Sequence, residues 1–160
     1  MRLSRRALLA AGMLAAAGPA TAQVPAARYA SISVDVAPLR ALGLGPVADA
    51  LRGDLDAAMR VAFADRTGPG ARLVVRITGL SLNAYAGSDS RAGRQGSAGN
   101  NDYLEGEALV VGRCGEVLLR HPQLSVTPAS SGGAWYDPAS ERRRLIVLAE
   151  HYAAWLRRAL

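Results

Sequence analysis

Lysine is absent from this chain, so all nineteen of its basic residues are arginines. A lysine-dependent phosphate loop is excluded at once, and no Walker or Rossmann fingerprint or Gly-x-Ser-x-Gly elbow stands in its place. Histidine occurs twice and cysteine once. That supply is too thin for a zinc or redox-metal centre, which needs several converging N, S or carboxylate ligands, and no cofactor is expected. The lone Cys114 cannot close an internal disulfide, so stability must come from packing; its expected place is as a small, semi-buried residue. Cys114 and His121 fall in adjacent strand-turn positions, but nothing orients them as a nucleophile and base. Beyond the N-terminal segment no run is apolar enough to span a bilayer, which takes ~20 residues.

The N-terminal segment itself is informative. Arg2, Arg5 and Arg6 precede an apolar run from Ala7 to Ala17, then Gly18-Pro19 and Ala20-Thr21-Ala22. A basic region, a short apolar core and small residues at the end make a bacterial signal peptide over 1–22, with cleavage expected between Ala22 and Gln23. Ser4-Arg5-Arg6-Ala7-Leu8-Leu9 resembles the twin-arginine export signal; the alternative is an ordinary Sec signal with two adjacent arginines. Removing three arginines leaves sixteen against thirteen acids in 23–160, well below the +6 of the whole chain. That balance gives weak attraction to anionic surfaces and no nucleic-acid footprint.

Residues 23–160 are the size of one domain. "YASISVDVAPL" alternates, with Ile32, Val34 and Val36 on one side, and reads as a half-buried strand. "GPVADALRGDLDAAMRVAFADRTGPG" opens with Pro46 in the first helical turn and closes at Gly68-Pro69-Gly70; Val47, Leu51, Leu55, Ala58 and Ala62 form its apolar stripe. In "ARLVVRITGLSLNAYAG", Leu73, Val75 and Ile77 share one parity and Leu80, Leu82 and Ala84 the other, so a bulge near Gly79 is expected. "YLEGEALVV" and "EVLLRHPQLSV" form two strands joined by a tight turn at Gly112–Gly115. The second flips parity around His121-Pro122, which predicts a bulge or an edge position there.

The stretch "GSDSRAGRQGSAGNND" at 87–102 lies between two strands, not before a helix, so it lacks the helix N-terminus that a phosphate cradle requires. It is expected to be a flexible glycine-rich hairpin loop, basic through Arg91 and Arg94. At the other end, Asp137 is the expected N-cap and Pro138 the first residue of a helix. Leu145, Leu148, Ala149, Tyr152, Trp155, Leu156 and Leu160 recur on its apolar side. The elements run β-α-β-β-β-α: an α+β two-layer sandwich, its four-stranded, mostly antiparallel sheet carrying two helices on one face.

Arg142, Arg143 and Arg144 oppose the macrodipole at the start of that helix. With Arg91 and Arg94 they are the candidate contacts for an anionic partner, an envelope protein face or a lipid phosphate; balance by Glu141 and neighbouring acids is the structural alternative. Trp135 and Tyr136 are either a hydrophobic staple on the first helical turns or an aromatic lip of a binding groove. Glu105 and Glu107 share one strand face, an arrangement that fits a solvated surface better than a glycosidase pair flanking a bond. His121 and His151 are expected to be structural.

In this order of elements, and in the basic "ERRR" that opens the last helix, the chain is similar in architecture to small proteobacterial envelope proteins, and specifically to the lipopolysaccharide-assembly lipoprotein of the outer membrane. The resemblance covers 31–160 in outline. It implies an envelope protein of non-enzymatic type; Ala22-Gln23 stand where that family carries its lipidated cysteine. The expected function is therefore an exported periplasmic protein that binds or helps assemble an envelope component. A small hydrolase, an accessory to an exported redox or hydrolytic enzyme, and a structural homo-oligomer pairing its strand edges are the alternatives.

Overall fold

The structure, a computed structural model, describes residues 27–83, 100–134 and 136–160. Ala22, Gln23, Arg91, Arg94 and Trp135 lie outside them. The alternating segment forms β1 (Tyr29–Asp35), followed by a short helix α1 (Ala37–Ala41) that the sequence pattern does not foretell. Pro38 sits in its first turn, where no intrahelical N–H is needed. The long helix α2 (Gly45–Ala62) begins with Pro46 as expected, and buries Ala48, Leu51, Leu55 and Met59. Gly68-Pro69-Gly70 does not end it. The helix stops earlier, a single 3-10 turn spans Ala64–Arg66, and the three residues fall inside β2 (Thr67–Ser81). Tyr29 faces both Thr67 and Ala71, so the Gly-Pro-Gly triplet is accommodated as an irregularity of the ladder.

β2 is parallel to β1 and antiparallel to β3 (Asn101–Val111), which in turn is antiparallel to β4 (Val117–Pro128). Among the described residues spatial order follows chain order, β1-β2-β3-β4, leaving β1 and β4 as edges. The parallel step requires a crossover, and α2 supplies it. The expected bulge is present: Ile77 faces Gly106 and Gly79 faces Glu105, so Thr78 is the extra residue. Leu73, Val75 and Ile77 before it, and Leu80 and Leu82 after it, all join the core.

The bulge expected at His121-Pro122 is displaced. Pairing is continuous through Glu107–Pro122 and Ala108–His121, and the shift falls at Leu118. An edge strand accepts proline without breaking register when its missing N–H faces away from the neighbouring strand. The last helix α3 (Ser140–Ala159) also starts later than expected, with Ala139 as its cap residue. Asp137 instead accepts the Ala139 N–H at 2.8 Å, closing a turn ahead of the helix.

Both long helices cover the same face of the sheet. α2 lies against β1 and α3 against β3 and β4, and the two helices pack on each other. Leu145, Leu148, Ala149, Tyr152 and Leu156 of α3 are buried, whereas Trp155, part of the same sequence stripe, stands at its margin at 51% exposure. Close approach of α3 to β3 depends on Gly106. A Cβ there would lie 2.9 Å from the Tyr152 hydroxyl and 2.6 Å from the Arg76 carbonyl oxygen. The Tyr152 phenol is raised above its usual pKa by burial and by the nearby Glu107 charge.

Candidate functional site

The three arginines that open α3 are dispersed by the helical rotation of 100° per residue, and each meets a different partner. Arg142 reaches across to α2 and makes a two-pronged pair with Asp54. Arg143 turns the other way, donating to the Gly132 carbonyl at 2.8 Å and to Asp137 at 2.6 Å. Asp137, held also by the Ala139 N–H, has its carboxyl below the usual range. Arg144 departs from the expected exposed cluster altogether. It is 2% exposed, and its guanidinium enters the core to meet the fully buried Asp102.

This buried pair is closed on all sides. Arg144 Nε donates to Asp102 Oδ2 at 2.6 Å, and Nη2 donates to the Asn83 carbonyl at 2.7 Å and to Asp102 Oδ1. The Asn83 N–H donates to Asp102 Oδ1 at 3.0 Å. Gly132 makes the passage: a Cβ there would sit 2.6 Å from Arg144 Cγ. Asn83 follows the end of β2 and Asn100 leads into β3, so the pair joins the two ends of the stretch 84–99 to α3. Burying an arginine with its carboxylate fully hydrogen-bonded fixes geometry more than it adds stability.

Among the described residues no helix lies on the opposite face of the sheet. Register places Ser31, Ser33 and Asp35 of β1 and Arg72, Val74 and Arg76 of β2 on it. Tyr103, Glu105, Glu107, Leu109 and Val111 of β3 and Arg120, Pro122, Leu124 and Val126 of β4 complete it. Along β4 the usual pattern is inverted. Ser125 and Thr127 are buried beneath the helices, and Gln123 donates to the Tyr152 carbonyl at 2.9 Å. Leu124, on the outward side, is 60% exposed, with Val126 and Tyr103 partly exposed beside it. Antiparallel sheets facing water normally point their polar side chains outward.

A row of alternating charge crosses this open face. Arg76 donates to Asp35 at 3.1 Å and stands 4.0 Å from Glu107, which is 3.0 Å from Arg120. All four strands contribute one member. Glu105 and Glu107 do share a face, and Glu107 is held between two arginines. The Asp35 carboxyl is lowered, first by the Ala37 N–H and then by Arg76.

Elsewhere, a shallow groove of about 480 Å3 runs between α2 and α3, floored by Ala57, Ala58, Ala62, Ala153 and Ala154. Tyr136 is 75% exposed, not folded back as a staple would be. Cys114 is exposed at the β3–β4 turn, in place of the expected semi-burial. His151 accepts the Trp155 indole N–H at 2.8 Å, a structural contact within α3. Among the described residues no three metal-ligating side chains converge, and no helix is long and apolar enough to cross a membrane.

Asp102 and the open face are what the sequence pattern conceals. In the sequence, Asp102 reads as the end of the glycine-rich loop. A signal is available for its partner: Arg144 lies four residues before Leu148, on the apolar side of α3. No family model matches the chain, and no curated protein matches it. Among solved structures, a candidate lipoprotein from Caulobacter crescentus is similar at 14% identity over 82% of each chain, with a TM-score of 0.41.

Proposed function

We propose that this chain is an exported protein of the cell envelope that acts by binding and assembly, and that the open face of its sheet is where a protein partner docks. The observation that carries the reading is the inverted β4: Leu124 and Val126 face solvent while Ser125 and Thr127 are buried. A contiguous exposed apolar patch marks an interaction site, and Tyr103 of β3 lies beside Val126 in it. The signal pattern of 1–22 supports export, and an exported chain meets its partner in the envelope.

The test has two parts. A tagged full-length chain expressed in a Gram-negative host should be recovered in the periplasmic fraction, and changing Arg5 and Arg6 together to lysine should retain it in the cytoplasm if the twin-arginine route is used. A photoreactive residue in place of Leu124 should yield covalent protein adducts in that fraction, while one in place of Val61 on α2 should not. Adducts from neither position, or from Val61 alone, would remove the open face from the proposal.

A further inference from the structure

We infer that the open sheet face pairs with the same face of a second copy of this chain, in a two-fold dimer whose axis runs along the strands between β2 and β3. The inference rests on the reading of that face as a protein-binding surface and names its occupant. Its ground is the charge row. Asp35, Arg76 and Glu107 stand in register across β1, β2 and β3, and Arg120 of β4, one same-face pair nearer the β3–β4 turn, reaches back to Glu107, so the signs run negative, positive, negative, positive. A two-fold axis along the strands lays β1 over the second copy's β4 and β2 over its β3. An alternating row with an even number of members is then its own complement: Arg76 meets the second copy's Glu107, and Glu107 meets its Arg76. Had the row an odd number of members, or two like signs at the centre, the same operation would set like charges together.

Three further observations agree. The face is balanced, with Asp35, Glu105 and Glu107 against Arg72, Arg76 and Arg120, so two copies of an arginine-rich chain do not repel through it. One residue row toward the β3–β4 turn, the axis brings Val74 over the second copy's Leu109. At the opposite end, Tyr103, Leu124 and Val126 supply the apolar margin. With strands ~4.8 Å apart and residues rising ~3.4 Å, about ten residues of β2 over the second copy's β3 and about six of β1 over its β4 give an overlap of roughly 500 Å2 per partner, at the small end of specific interfaces, as for a dimer that dissociates on dilution. Isologous dimers need a self-complementary patch, and aligned sheets pack face to face in this manner.

The experiment uses the chain purified from the periplasm and measures its mass in solution by light scattering over a hundred-fold dilution series. A dimer is expected. Arg76→Glu and Glu107→Arg, each alone, should weaken dimerisation at least ten-fold, because each sets like charges across the axis in a homodimer. Mixed together, the two variants should form a heterodimer, since every central contact is again between opposite signs. Circular dichroism of each variant should match the parent, and Leu124→Asp, also on the outward side, serves as a second disruptive change. A monomer at every concentration overturns the inference, as does a dimer indifferent to all three substitutions or a mixture that fails to associate. A monomer that still gives Leu124 adducts to a different protein would overturn the second-copy assignment while leaving the open face as a docking surface; the absence of any adduct would remove both.

Discussion

Arg144 and Asp102 meet beneath α3 with almost no access to water, while Arg76 meets Asp35 and Glu107 on the open side of the same sheet with solvent at hand. The chemistry is one guanidinium against carboxylate in both places. Environment separates them. Inside, the ions have lost their hydration, and every remaining lone pair and proton must find protein, as the Asn83 carbonyl and N–H do. Outside, water and salt screen the pairs, and each contributes little to folding. The buried pair therefore governs whether the chain keeps its shape. The open row governs what the face can match.

The sharpest way to break the comparison is Arg144→Met. Leaving Asp102 buried and unpaired should cost ~3–5 kcal/mol, read as a lowered midpoint in urea unfolding. Combining it with Asp102→Leu should recover most of that loss, because the buried charge goes too; a double variant no better than the single would mean that the pair is not the reason for the loss. Gly132→Ala comes next, pressing a methyl against Arg144 Cγ for about 1–3 kcal/mol, visible as a drop in Tm. Arg142→Gln, which removes the half-exposed pair with Asp54, should cost no more than ~1 kcal/mol and should lose what effect it has in high salt.

Arg76→Gln should be smallest of all in stability, within about 1 kcal/mol, despite sitting at the centre of the proposed dimer. The same row has a pH dependence of defined sign. Because the folded state holds the Asp35 carboxyl below its usual range, its contribution is complete above the ordinary carboxylate range and fades as pH falls through the lowered value. Comparing acid unfolding of the parent with Asp35→Asn should show the two curves converging at low pH.

Elements whose parity can be counted are legible in the amino-acid order alone. Leu73, Val75 and Ile77 against Leu80 and Leu82 demand an extra residue, and Thr78 is that residue. The long helices and the four strands follow from periodicity in the same way. β4 is legible as an edge strand but its faces are not, because apolar residues in a strand are expected to point inward; Leu124 and Val126 point outward, which no propensity encodes. Asp102 is hidden by composition, since an acid beside Gly99, Asn100 and Asn101 reads as loop. Arg144 is hidden by its neighbours, as a run of three like charges invites treatment as one surface group, although a helix turns 100° between each pair.

The joined ends at Asn83 and Asp102 have a consequence for how this chain can vary. Closing a chain segment costs entropy that grows only with the logarithm of its length, about 0.6 kcal/mol for each doubling. With Arg144 bound to both Asn83 and Asp102 from a separate helix, the core itself holds the two ends together. An insert placed between Asn83 and Asn100 is therefore expected to leave the sheet folded, which makes this junction a natural place to graft a reporter or an epitope into the protein.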